Sequence, residues 1–369
     1  MSIAMISGLI ILVLLVIMLV AGVPIAIALG ISSVCAILPV MDLNVAVLTG
    51  AQRIFSGISV FSLLAIPFYI LAGNIMNKGG IAVRLINLAK LITGRTPGAL
   101  AHTNVIANML FGSISGSGTA AASAMGSIIG PIEKDEGYDP SFSAAVNVAT
   151  APTGLLIPPS NVMITFSLVS GGTSVAALFM AGYIPGILWG LACMAVIYFI
   201  AKKHGYRAKT KFAAKEAGSI IFLIGVSSIM SWVMAFTNIP TLVSSALLSI
   251  SNSKYVIFFL INIILLVVGT FMDMTPACLI FTPIFLPICS ALGMNTIHFG
   301  IMMIFNLCIG TITPPVGTTL FVGVKVGGVR LEDVIKQLLP FFAVIIAVLL
   351  LVTYVPILSL WLPSLMGYV

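Results

Sequence analysis

Charged residues cut the chain into long apolar stretches, at 3–41, 54–77, 96–132, 140–201, 217–253, 255–272, 299–324 and 337–369. Each is long enough to cross roughly 30 Å of hydrocarbon at least once. Four of them are interrupted by runs of Gly, Pro, Ser and Thr, and a helix in a bilayer is broken only where protein or a hydrated cavity satisfies its backbone. Two interruptions read as the tips of helical hairpins: Gly112–Thr119 in a hairpin over 98–132, and Met272-Asp273-Met274-Thr275-Pro276 in a hairpin over 255–288. The other two, Pro152–Ser160 and Gly310–Thr319, break the crossings that follow, over 140–170 and 299–324.

These interruptions repeat. A shift of 156 positions (314 − 158) lays Pro158-Pro159 on Pro314-Pro315, and Pro131, Gly137, Gly154 and Gly171-Gly172 on Pro287, Gly293, Gly310 and Gly327-Gly328. Gly and Pro are selected for φ and for a missing N–H, so a register that keeps them in otherwise dissimilar apolar sequence means duplicated backbone geometry. The chain therefore divides into a first repeat over 1–203 and a second over 204–369, each with one re-entrant hairpin and one discontinuous helix.

Composition fixes the class. With 60% apolar and only 7% charged residues, the chain has about a quarter of the charge of a water-soluble domain and reads as an all-α polytopic membrane protein. The first cation is Arg53, so the start lacks the basic region of a cleaved leader and reads as a retained helix. The net charge of +7 sits at the ends of apolar spans, which points to lipid rather than nucleic acid. Lys202, Lys203, Arg207, Lys209, Lys211 and Lys215 concentrate in 202–215, and the positive-inside rule makes that loop cytoplasmic. Counting crossings outward from it puts Glu133–Asp139 inside, and the two hairpins then enter from opposite faces, as inverted repeats require.

Each tip and its break gather hydroxyls, bare carbonyls and half-helix ends. Such oxygens suit a hard monovalent cation such as Na⁺, and half-helix N-termini suit an anion, so two cation sites around one anion site are expected. Gly and Ser in the tract 112–127 serve close helix packing equally well. Asp273 is the one acid far from a membrane surface and is read as functional. Glu133, Asp135, Glu136 and Asp139 read as solvated loop acids. His102, His204 and His298 are too dispersed for a transition-metal site, and Cys35, Cys193, Cys278, Cys289 and Cys308 lack any CxxC spacing and read as packing residues. No nucleophile, base or metal cluster suggests an enzyme, and opposed hairpins suit alternating access better than a channel.

The run Asn108–Ala121, Pro158-Pro159-Ser160, Gly269–Asp273 and Gly310–Gly317 together resemble the large membrane subunit of tripartite ATP-independent periplasmic (TRAP) transporters, over nearly the whole chain. The resemblance implies an elevator-type, Na⁺-coupled secondary transporter of a bacterial inner membrane, with no organic cofactor. It implies two partners, a small four-helix membrane subunit and a periplasmic binding protein that delivers an organic acid anion. Sialic acid, another sugar acid or a dicarboxylate is the implied cargo; a Na⁺-coupled carboxylate carrier without a binding protein, or an ion channel, is the alternative. Carried over by position, one cation site holds Ser113, Ser115, Gly116, Ser117 and Gly118 with Thr153, Gly154, Pro158 and Ser160. The other holds Asp273 and Thr275 with Gly310, Thr313, Pro314, Gly317 and Thr318. Ser117, Thr119, Thr153, Thr275 and Thr318 are the implied substrate contacts.

The same register exposes a shortfall. Residue 60 aligns with 216, yet 59 residues precede residue 60 and only 12 lie between Lys203 and 216, so about 47 residues (59 − 12) of the first repeat, matching 3–41, lack a counterpart near 211–212. Either residues between 208 and 218 are missing from the sequence or the deletion is real; if it is real, the second repeat lacks one scaffold helix pair and transport is impaired. Inserting an apolar helix pair between Lys211 and Phe212 should raise uptake in vesicles; uptake unchanged by the insertion would remove the shortfall as a functional defect.

Overall fold

In the computed structural model the described elements are all helices, and Gly, Pro and Ser decide where they stop. The structure describes residues 3–21, 23, 25–58, 86, 89, 93, 96–206, 253–272, 274–314 and 317–368. Two apolar helices, α1 (Ile3–Val20) and α2 (Ile25–Ile37), pack together ahead of α3 (Leu43–Ile58). Then come α4 (Ala99–Ser115), α5 (Gly118–Asp135), α6 (Pro140–Thr150), α7 (Thr153–Leu156), α8 (Asn161–Val169) and α9 (Val175–His204). The second half holds α10 (Lys254–Phe271), α11 (Met274–Ala291), α12 (Thr296–Ile312), α13 (Thr318–Gly327), α14 (Leu331–Tyr354) and α15 (Ile357–Leu365). Three of the described helices, α9, α11 and α14, are long and apolar enough to cross a membrane, and the bent pair α6–α7 with α8 adds a fourth if it is one span. The described residues hold helices and no strand, with several of them apolar, as in a polytopic membrane protein.

The first hairpin turns more tightly than its Gly/Ser tract suggests. Gly116 closes α4 in the left-handed region (φ 62°), with its N–H on the Gly112 carbonyl at 2.8 Å, and Ser117 caps α5 by accepting the Ala120 N–H at 3.2 Å. Only 116–117 is turn; Gly112–Ser115 and Gly118–Thr119 are helical. The breaks are also shorter than the sequence indicates. Thr153 and Gly154 lie in the helical turn α7, whose Thr153 carbonyl accepts the Ile157 N–H at 3.1 Å, so the chain unwinds only over 157–160, where the axis bends by 49°. Gly310 and Thr311 likewise remain in α12, and its ladder ends at Ile312. A glycine inside a helix is tolerated, whereas a proline denies the ladder an N–H, so the prolines set the breaks more than the glycines do.

Those helical glycines have another use. A Cβ on Gly154 would lie 2.2 Å from the Gly112 Cα, and one on Gly310 would lie 2.4 Å from the Gly269 Cα. In each half, the first hairpin arm and the broken helix thus cross backbone on backbone. Asparagines fasten the crossings. Asn108 Nδ2 donates to Thr150 Oγ1 at 2.9 Å and to Asn147 Oδ1 at 3.1 Å, while Asn306 Nδ2 donates to Asn262 Oδ1 at 2.7 Å. Where Pro152 interrupts the ladder, the Ala149 carbonyl accepts the Trp189 indole N–H at 2.9 Å.

The halves interlock through their second half-helices. α13 packs on α5 and α6 of the first half, and α8 packs on α11 of the second. The approach of α13 is close because Gly323 and Gly327, four apart, meet Val148 and Ala144. Helix boundaries recur 156 residues apart at Ser115 and Phe271, Gly118 and Met274, Asp135 and Ala291, Pro140 and Thr296, Leu156 and Ile312, and Val175 and Leu331. At one end of the bundle the Gly98 N–H donates to the Tyr206 carbonyl at 3.1 Å and the Tyr138 ring stacks on Tyr206 at 4.5 Å. At the other, Phe166 of α8 meets Phe299 of α12 at 6.0 Å.

Gly154→Ala and Gly310→Ala each force a methyl into backbone and should lower stability by roughly 3 kcal/mol. Gly130, in α5 with nothing within 4 Å of a built Cβ, should tolerate alanine and gain roughly 0.5–1 kcal/mol. Thermal melts in detergent check both; equal melting temperatures for Gly154→Ala and the parent chain would contradict the crossing.

Candidate functional site

The first hairpin tip sits in a seam between the two breaks. A Cβ on Gly118 would lie 3.1 Å from Leu155 Cδ1 of the first broken helix and 3.3 Å from Thr319 Oγ1 of the second. The seam therefore brings Ser117, Gly118 and Thr119 to the N-terminus of α13, which begins at Thr318 behind Gly317. Ser117 and Thr119 share a hydroxyl–hydroxyl hydrogen bond at 3.0 Å. The other expected hydroxyls are mostly turned back on their own backbone: Ser113 donates to the Leu110 carbonyl at 2.9 Å, Ser115 to that of Gly112 at 3.4 Å, Thr153 to that of Thr150 at 2.6 Å and Thr313 to that of Ile309 at 2.7 Å. Their lone pairs stay available as acceptors.

Beside this tip, α8 contributes oxygens with no partner. Ser160 is fully buried at the N-cap of α8, yet its side chain makes no capping bond and its Oγ has no hydrogen-bond partner. Asn161 is also buried; its Nδ2 donates to the Gly116 carbonyl at 3.4 Å and leaves its Oδ1 without a donor. Gly116 has to be glycine for a second reason, since a Cβ there would lie 2.6 Å from Asn161 Nδ2. At the second break, the carbonyls of Thr311 and Thr313 approach to 3.1 and 2.9 Å from where a Cβ on Gly317 would be, so a bare glycine leaves two carbonyl oxygens facing one small space. Pro158 lies in the unwound stretch and Pro314 next to Thr313, while Gly154 and Gly310 lie in the crossings.

Thr275 is buried in the first turn of α11, next to Met274, whose sulfur meets Cys308 Sγ of α12 at 3.5 Å. Asp273 lies outside the described residues, as do Pro315 and Val316 and the stretch 208–218 around the expected shortfall. Asn161 is the site residue that residue-type reasoning passed over. An asparagine directly after a Pro-Pro-Ser break in an otherwise apolar span is the signal that marks it.

One expectation is overturned. Glu133 is not a solvated loop acid: it is 0% exposed, and neither carboxylate oxygen has a hydrogen-bond partner. Asp135 and Asp139 are exposed as expected, and Asp139 caps α6 by accepting the Phe142 N–H at 2.8 Å. The helical continuation of α5 to Asp135 turns Glu133 inward toward α6, one residue past the apolar stretch. Burial pushes its carboxyl from an ordinary 4.5 up to about 8; the nearby Ser143 hydroxyl opposes the rise and the Glu136 charge adds to it. None of the five cysteines is in a disulfide, and His298 is engaged by Ser359 Oγ at 2.9 Å and the Thr353 carbonyl at 3.1 Å.

Comparison with known proteins comes to the same family from independent directions. A family model described as the DctM component of the tripartite ATP-independent periplasmic transporter matches residues 12–221 and, as a separate piece, 211–358. The protein YgiK of Salmonella typhimurium, itself described as uncharacterized, is 45% identical over 414 aligned positions that cover 95% of each chain. The isethionate TRAP transporter permease protein DctMQ of Oleidesulfovibrio alaskensis is 35% identical over 92% of this chain and 63% of its own length. The sialic acid TRAP transporter large permease protein SiaM of Vibrio cholerae is 31% identical over 86% of this chain and 90% of its own. The two matched pieces overlap at 211–221, the region where the internal register falls short. An alignment of 414 positions to a chain of 369 residues leaves at least 45 positions (414 − 369) facing a gap.

Because the folded chain holds the Glu133 proton more tightly than the unfolded chain, that contribution to stability is complete below pH 4.5 and is lost as pH rises toward 8, by about 1.4 kcal/mol per pH unit. Melting temperatures from pH 5 to pH 9 should fall in the parent chain relative to Glu133→Gln. Parallel curves would place the carboxyl in water.

Proposed function

The chain belongs to the DctM-component family, the large membrane permeases of TRAP transporters, and from that membership we propose that it moves an organic acid anion across the bacterial inner membrane together with Na⁺. It is a transporter subunit rather than an enzyme. Its partners are a small four-helix membrane subunit and a periplasmic binding protein that hands over the cargo.

The observation that carries the Na⁺ reading is the pair of buried oxygens without partners, Ser160 Oγ and Asn161 Oδ1, beside the first hairpin tip. A buried acceptor left unmade costs about 1–3 kcal/mol, and a desolvated Na⁺ that takes both, with tip carbonyls, removes that cost. The Thr311 and Thr313 carbonyls over Gly317 offer the second cation a similar environment, with Asp273 and Thr275 on the opposing tip. Between them, the N-terminus of α13 with Ser117, Thr119 and Thr318 suits the charged end of the cargo. Thr153 and Thr275 complete that set. Relatives are named for isethionate and sialic acid, a sulfonate and a carboxylate, and both charge types fit such a helix end.

The inverted-repeat reading draws support from the bundle's two ends. The base of the first hairpin lies at the end that gathers Gly98, Tyr138 and Tyr206, next to Lys202 and Lys203, and this end is assigned to the cytoplasm. Gly327, at the close of the second broken helix, shares a cavity with Pro140 at that same end. The second hairpin precedes that broken helix, so its base belongs to the end where Phe166 meets Phe299. Oppositely inserted hairpins on a fixed scaffold are the parts an elevator motion needs.

Uptake in vesicles carrying all three components should require Na⁺ and vanish with choline in its place. Ser160→Ala and Asp273→Ala should each raise the Na⁺ concentration for half-maximal uptake about tenfold, the loss of one ligand worth about 1.4 kcal/mol. Uptake indifferent to Na⁺ would overturn the coupling, and an unchanged Na⁺ requirement in both variants would overturn the site.

A further inference from the structure

Away from the tips, α4, α5, α6 and α13 line a cavity of about 240 Å³ at the end that holds Tyr138 and Tyr206. Glu133, Ser143, Asn104 and Asn147 line it from the first half, and Gly323 and Val326 wall it from the second. Four polar atoms there lack hydrogen-bond partners of normal geometry: both Glu133 carboxylate oxygens, Ser143 Oγ and Asn104 Nδ2. Glu133, Asn104 and Ser143 are 0%, 1% and 5% exposed, so bulk water does not satisfy them. The volume exceeds several times the ~30 Å³ that one water occupies in the liquid.

A buried carboxylate cannot stay charged and alone. It pairs with a protein cation, takes a proton, or binds an ion. Among the described residues the ion pairs are Arg330 and Lys336 with Asp333, far along the chain, and none involves Glu133. The other ionisable groups around the cavity are Lys134, exposed in its lining, Glu136 and Tyr138 beyond α5, Asp139 at the cap of α6, and Lys325, exposed on α13. None of them closes on the carboxylate as a counter-ion.

We propose that this cavity is a monovalent-cation pocket in which Na⁺ displaces a proton from Glu133. The Glu133 O–H bond breaks as the ion binds, the proton leaves to water past Lys134, and the carboxylate becomes the ion's charged ligand. Ser143 Oγ supplies a neutral oxygen, waters complete the shell, and the Asn104 amide N–H donates to one of them. The pocket is separate from the two tip sites and rests on its own residues. Because Gly323 and Val326 form its wall, it exists only while α13 lies against α5 and α6, so the ion holds that contact shut.

The test follows protons in weakly buffered detergent solution at pH 7.5, on adding NaCl to the purified full chain, with choline chloride as reference. The parent chain should release about one proton per chain with Na⁺ only. Glu133→Gln should release less than a tenth as much, and Asp273→Ala should retain the release, which separates this pocket from the tip sites. Ser143→Ala, which keeps the carboxyl, should need about three- to tenfold more Na⁺ for half-maximal release. Infrared difference spectra of the unaltered chain supply a readout that needs no variant: Na⁺ should bleach a protonated-carboxyl band. Release undiminished in Glu133→Gln, no release above choline in the parent chain, an unmoved half-saturation in Ser143→Ala, or no bleached band would each overturn the pocket.

Discussion

The structure depends on two places where backbone lies directly on backbone, Gly112 against Gly154 and Gly269 against Gly310. No side chain fits between those segments, so the first arm of each hairpin and the broken helix behind it are held at a separation that only paired glycines permit. Everything that could bind a solute follows from that separation. It holds the first tip beside the unwound stretch, where Asn161 reaches the Gly116 carbonyl, and the asparagines Asn108 and Asn306 lock the crossings with hydrogen bonds that have no competing water.

The exchange of half-helices converts two such crossings into one molecule. α13 leans on the hairpin of the other half and α8 does the same in return, so neither half completes its own seam. The first tip touches Thr319 for this reason, and the cavity at Glu133 is closed by Gly323 and Val326. A displacement of one half is therefore felt at the tip and break oxygens of the other, and a contact shared in this way can couple two sites.

Much of this was legible in the chain itself. The Gly and Pro register located the helix boundaries at Ser115 and Gly118, Leu156 and Asn161, Phe271 and Met274, and Ile312 and Thr318, because those residues report backbone geometry whatever surrounds them. Their precise roles were less legible: Gly154 and Gly310 looked like helix breakers and are contact points, since a glycine's lack of a side chain serves close approach and chain flexibility alike. Asn161 was passed over and Glu133 misjudged for a different reason. Whether a polar side chain is solvated or sealed depends on which neighbour folds over it, and for Glu133 that neighbour is α13, nearly two hundred residues away. The shortfall near 211–212 was visible as a counting mismatch, and the family model matches in two pieces that overlap in that region.

The central claim is that the tips and breaks together bind Na⁺. Equilibrium binding of radioactive Na⁺ to the purified chain, with choline as the competing background, tests it most directly. Saturable binding that weakens when Ser160 or Asn161 is replaced by alanine is the expected result. Binding that never exceeds the choline background, or that ignores both replacements, would contradict it.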